Sequence, residues 1–74
     1  MKKSIGKILK QFRTKANLRV QDVSTLLSKE GYTISPKSIY AWENGSHLPR
    51  LDIFLTVCSI YGITDLPATF LHND

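Results

Sequence analysis

The sequence predicts an all-α protein, a compact bundle of about five short helices forming one domain over residues 1–74. Three observations predict it. Apolar residues recur at three- and four-residue intervals in five successive segments, the spacing of one helix face. Asn17, Gly31, Gly45 and Gly62 follow four of those segments, where a residue that tolerates the left-handed conformation closes a helix. No segment alternates apolar and polar residues convincingly enough for a strand, and no repeat or low-complexity run intervenes.

Taken in order, the first helix is expected from about Ser4 to Ala16, with Ile5, Ile8, Leu9, Phe12 and Ala16 on its apolar stripe. Lys7, Lys10 and Lys15 fall outside that stripe, and Asn17 closes the helix. The second runs from about Val20 to Lys29 on Val20, Val23, Leu26 and Leu27, with Asp22 in its first turn, favourable to the helix dipole, and Gly31 at its end. Ser24, a small residue on the inner side, leaves room for a neighbouring helix. The third begins at Ser35, a good N-cap, followed by Pro36, whose missing N–H is no loss at the first helical position. It is read as about three turns, with Ile39 and Trp42 inward and Lys37, Ser38, Tyr40, Ala41 and Asn44 on the remaining surface. So short a helix is held by its neighbours. The fourth is expected from about Leu51 to Tyr61, with a broad apolar face of Leu51, Phe54, Leu55, Val57, Cys58 and Tyr61 and a Schellman-type ending at Gly62 and Ile63. The last starts at Thr64 as N-cap and contains Leu66, Phe70 and Leu71.

Composition narrows the classes of function. A hydrophobic fraction of 42% with 22% charged residues fits an ordinary globular chain. One cysteine, Cys58, excludes an internal disulfide and fits a reducing cytosol. No apolar run approaches the ~20 residues that span a bilayer, and no signal-peptide pattern follows the N-terminal lysines, so a cytoplasmic location is expected. The formal net charge is +4 and the pI about 9.5, which favours polyanionic partners. Its distribution is uneven. Lys2, Lys3, Lys7, Lys10, Arg13, Lys15 and Arg19 all precede the first acid, Asp22, and from there acids outnumber bases.

One run is peculiar: SPKSIYAWENGSHLP, residues 35–49, places the only Trp directly before a Glu, an Asn and a Gly. Its order Ile39, Trp42-Glu43-Asn44-Gly45, Pro49, preceded by Arg13, Leu18 and Ser35 and followed by an apolar helix ending in Gly62-Ile63, resembles the phage Cro and repressor type of helix-turn-helix, the Xre family. The resemblance spans about Ile5 to Leu71 and implies a lambda-repressor-like fold that binds double-stranded DNA and regulates transcription as a small phage or mobile-element repressor. It also implies that Glu43 folds back against Arg13 as a structural ion pair, with Trp42 filling the core beneath. By the same resemblance the third helix enters the major groove. Lys37 then reads a base edge, Ala41 touches a thymine methyl, Pro36 contributes shape, and Tyr40 shares that surface with Ser35 and Ser38. Asn44, Ser46 and His47, together with Arg19 and Gln21 at the start of the second helix, meet phosphates.

The chain departs from the family pattern in three places. Arg19 and Val20 stand where a Ser or Thr cap and a phosphate-clamping Gln are usual, with Gln21 one residue late. The connection from Leu27 to Ser35 is about five residues longer than the common form. Arg50 replaces a capping Ser before the fourth helix.

Catalysis finds no footing: His47 and His72 are far apart, Cys58 sits at a core position, and no Gly-rich phosphate loop or Cys/His metal spacing occurs. No enzyme activity, cofactor, metal or small-molecule substrate is expected, and no membrane, because the first helix needs its apolar face for the core. Useful specificity usually takes two copies on a near-palindromic site, so Leu66, Phe70 and Leu71, with Tyr61 nearby, are a candidate homodimer surface. The competing reading is a protein-interaction module of the same fold, antitoxin-like and without operator recognition; the missing Gln and the presence of Val20 and Pro36 near the DNA face favour it.

Overall fold

The computed structural model describes residues 2–71, with side chains described from Ile5 onward. It contains five helices: α1 (Lys2–Lys15), α2 (Val20–Lys29), α3 (Pro36–Glu43), α4 (Leu51–Ile60) and α5 (Leu66–Leu71). No strand occurs among the described residues. The fold is thus a small all-α bundle. α1 packs on α3 and α5, and α2 packs on α3 and α4.

Four helix ends share one backbone closure. After α1, α2, α3 and α4, the residue in the left-handed region is Asn17, Gly31, Gly45 and Gly62, with φ of 59°, 92°, 84° and 75°. At each, the amide of the next residue reaches back five positions: Leu18 to Arg13, Tyr32 to Leu27, Ser46 to Ala41 and Ile63 to Cys58, over 2.9–3.1 Å. The left-handed residue itself donates to the carbonyl three back. This is the Schellman arrangement, which satisfies carbonyls the helix leaves open.

The helix starts are less uniform. Ser35 caps α3 by accepting from Ser38 N–H at 3.3 Å. Arg19 has no acceptor to offer at the start of α2, so Asp22 turns back and accepts from Arg19 N–H at 2.8 Å, half of a capping box. Arg50 likewise gives α4 no cap; the Asp52 carboxylate accepts instead from Ile53 N–H at 2.9 Å. α5 is capped by Asp65, which accepts from Ala68 N–H at 3.1 Å, and not by Thr64. The helix begins at Leu66, which puts Asp65 and not Thr64 at the cap position.

One cluster forms the core: Leu9, Val20, Val23, Leu27, Ile39, Trp42, Ile53, Val57, Cys58, Tyr61 and Ile63. The expected faces of α2 and α3 fall in it through Val20, Val23, Leu27, Ile39 and Trp42, whereas Leu26 is only half-buried and stands outside the cluster and the residues packed against it. Two others need correction. α1 stops at Lys15, so Ala16 is exposed. On α4, Leu51 and Leu55 are exposed and Ile53 is buried instead. The segment LDIFLTVCSI is apolar on nearly every side, so spacing alone does not choose its inner face. α3 is also shorter than the expected three turns; its eight residues make just over two.

Candidate nucleic-acid interface

α3 is fixed from behind by one charged contact. Arg13 lies on the inner face of α1 and donates from Nε to Glu43 Oε2 at 2.6 Å and from Nη2 to Oε1 at 3.1 Å, a bidentate pair. Its third nitrogen, Nη1, donates to the Leu18 carbonyl at 2.8 Å, in the corner between α1 and α2. The two side chains are only 10% and 6% exposed. One guanidinium therefore ties together α1, the α1–α2 corner and the end of α3. The hydrogen bonds it donates to Glu43 raise the Arg13 pKa above its already high ordinary value, so the cation is permanent. Tyr61 packs close by, and burial first, then the Glu43 charge, push its phenol well above its usual pKa.

With Ile39, Trp42 and Glu43 turned inward, the other side of α3 faces solvent. Lys37 and Tyr40 are exposed there, Tyr40 by 57%, while Pro36, Ser38 and Ala41 are half-buried. Asn44 uses its Oδ1 to accept from Ser46 N–H at 2.9 Å and Ser46 Oγ at 2.6 Å, which stiffens the turn. His47 is exposed beyond it. Among the described residues, Lys37, Tyr40 and His47 make no side-chain hydrogen bond within the chain. Between α3 and the approach to α4 runs a groove of about 500 Å³ where Lys37, His47 and Arg50 stand beside Ile34, Trp42 and Ile53.

The start of α2 differs. Arg19 and Gln21 are exposed, but the Arg19 guanidinium is engaged by Asp22 at 3.1–3.2 Å. That contact raises the pKa of Arg19 and lowers that of Asp22. Val20, at the position where a Gln is usual, is buried in the core. In the long connection between α2 and α3, Tyr32 and Ile34 pack against the core, and Ser24 Oγ donates to the Ile34 carbonyl at 2.6 Å. That bond gives Ser24 a role beyond being small.

The other sequence candidates separate. Leu66 and Phe70 pack against the core, Phe70 with its ring centroid 5.2 Å from that of Phe54, while Leu71 is exposed. Tyr61 is buried and so is not part of any surface. His72 lies outside the described residues. No group of His, Cys, Asp and Glu suited to a metal ion occurs among the described residues. No helix there is long and apolar enough to cross a membrane. Cys58 is buried, and that burial raises its thiol pKa to about 11. Against an ordinary thiol near 8.5, its thiolate fraction at pH 8 is lower by roughly two orders of magnitude. Labelling of the folded protein by a thiol reagent at pH 8 is therefore expected to be at least that much slower than after unfolding. Equal rates in native buffer and in denaturant would show the thiol to be open.

Gly6 is a residue that spacing did not single out. α1 meets the end of α3 at this point: a Cβ built on Gly6 would clash with the Trp42 carbonyl and lie 2.6 Å from that of Glu43. An isolated glycine inside a helical pattern is the available signal, since it costs helix stability unless packing requires it. Compared with family models, with curated proteins and with solved structures, the chain matches none.

Proposed function

We propose that the protein is a sequence-specific double-stranded DNA-binding protein of the phage Cro and repressor (Xre) helix-turn-helix type. It acts in the cytoplasm as a small transcriptional regulator without enzymatic activity. The observation that supports this best is the setting of α3. It is pinned from behind by Ile39, Trp42 and the Arg13–Glu43 pair, while Lys37 and Tyr40 stand outward with free side chains on a chain of net charge +4. Eight residues of helix span about 12 Å, comparable to the width of the major groove. Lys37, in the first turn, is the proposed base reader, with Asn44, Ser46 and His47 at phosphates. The deciding experiment is anisotropy of labelled duplex from upstream of the protein's own gene, titrated at several salt concentrations against scrambled duplex. Preference for the native duplex that persists as salt rises supports the reading; equal affinity for both sequences sinks it.

Lys37→Ala distinguishes its two possible roles. If Lys37 reads a base, the variant loses about 1–3 kcal/mol on the specific site and relaxes preference at one position. If it meets only phosphate, the loss is uniform across sequences and the salt slope falls by about one. Lys10→Ala, on the outer side of α1, is the control. Coincident selection profiles for Lys37→Ala and the unmodified protein would remove Lys37 as a reader.

One observation favours a second reading, a partner-binding module of the same fold, antitoxin-like. The Arg19 charge is paired internally with Asp22, so the start of α2 offers phosphate less than a free cation would. Weak, salt-sensitive DNA binding with no sequence preference is the outcome that reading expects.

A further inference from the structure

The groove between α3 and the approach to α4 combines two chemistries. Its floor is apolar, made by Ile34 before α3, Ala41 and Trp42 on it, and Ile53 on α4. Its rim is basic, with Lys37, His47 and Arg50, and among the described residues no carboxylate lines it. The Arg50 guanidinium is already held by Asp52 at 2.9–3.2 Å. Lys37 and His47 make no side-chain hydrogen bond among the described residues. A phosphate strand uses the donors of such a rim but has no use for an indole and two isoleucines beneath it.

We propose that this groove binds a small organic acid, an apolar body with one carboxylate. The body lies on Trp42 and Ile53, and the carboxylate accepts from the Lys37 ammonium and a ring N–H of His47. Three features point to this occupant. Size is the first: about 500 Å³ is within the range of small-molecule sites. Rigidity is the second. Trp42 and Ile53 belong to the buried core, so the floor exists before any ligand arrives and little ordering opposes binding. Charge is the third. A hydrogen bond between two ionised partners is the strong kind, and Lys37 is the one ammonium or guanidinium at this rim that is not already paired. One unpaired cation suits one anion; a polyacidic chain would find few partners here.

One consequence rests on the DNA-binding reading. Lys37 and His47 face DNA in that reading, so the acid and the duplex exclude each other, and the ligand acts as an effector that releases the protein from its site.

Titration of the full chain with decanoate, followed by the fluorescence of Trp42, the only tryptophan, tests the site without DNA. A saturable change is expected with decanoate below its micelle onset. Decylammonium, with a similar tail and the opposite charge, is expected to bind at least about tenfold more weakly. Lys37→Glu should weaken decanoate at least about tenfold while leaving helical circular dichroism unchanged, since the side chain is exposed. Ala41→Leu, which fills the floor, should weaken both probes, and Lys10→Glu, away from the groove, neither. No saturable signal overturns the proposal. So does equal binding of the two probes, or decanoate binding that Lys37→Glu leaves intact. A protein that ignores decanoate and binds poly-glutamate through Lys37 overturns it in favour of an acidic chain. With labelled duplex present, saturating decanoate is expected to release it, and a duplex retained at saturation overturns the exclusion. Decanoate binding by a protein with no sequence preference would sink the DNA-binding reading and leave this site standing. Sequence-specific binding by a protein that ignores decanoate would do the reverse.

Discussion

Glu43→Ala is expected to destabilise the fold by about 3–5 kcal/mol, because it leaves the Arg13 guanidinium buried with only the Leu18 carbonyl as partner. Arg13→Ala should cost a comparable amount for the mirror reason, and it also frees the α1–α2 corner. The double variant should lose clearly less than the sum, since each single change already strands the other charge. Denaturant melts of all four proteins give the coupling directly. Additive losses would mean that the pair is not linked in solution. The size of the effect does not imply that the pair stabilises the protein relative to an apolar replacement; its desolvation offsets much of the attraction. What it supplies is position. A planar, five-donor group bound at two ends of α3's carboxylate and at a loop carbonyl fixes the direction of α3 far better than apolar contact does.

Gly6→Ala is expected to cost about 1–3 kcal/mol, although alanine is the better helix former by about 1 kcal/mol. The added methyl meets backbone oxygens of Trp42 and Glu43, which, unlike a flexible side chain, cannot swing away. α1 must then lift off the end of α3, and the Arg13–Glu43 distances lengthen with it. Gly6→Val should be worse, for bulk and for its restricted rotamers. Thermal melting decides the matter: a Gly6→Ala protein with an equal or higher midpoint would mean that the close approach is absent. In that case the ordinary gain from replacing a helix glycine would appear instead.

Much of the architecture was legible in the residues because its punctuation is local. Asn17, Gly31, Gly45 and Gly62 mark the four closures by backbone tolerance alone, and the bounds expected for α2 coincide with Val20–Lys29. The misreadings arise where a decision belongs to the tertiary structure. α4 is apolar almost all round, so only its neighbours determine that Ile53 goes in and Leu51 stays out. Asp65 rather than Thr64 caps α5 because of the entry geometry, not residue preference, as both are acceptable caps. Gly6 looks like a defect in a helix until the chain that passes over it is known. At the candidate interface the outward set on α3 followed from its two inward residues. The internal pairing of Arg19 with Asp22 follows from a three-residue spacing that also fits a dipole-favoured acid.

The four shared helix closures also bear on how the chain reaches its fold. Each is completed by bonds spanning no more than five residues, so each needs no distant partner to form. An unfolded chain can therefore sample its own helix boundaries before any two helices meet. What remains is a docking search among a few short rods whose lengths are already set, and loop-closure entropy rises only slowly with the length of the connections between them. Topologies governed by such near-neighbour contacts fall at the fast end of the folding range. The slow partners are then the distant ones: Arg13 must find Glu43 across thirty residues, and the α3 surface acquires its final direction only when that contact closes.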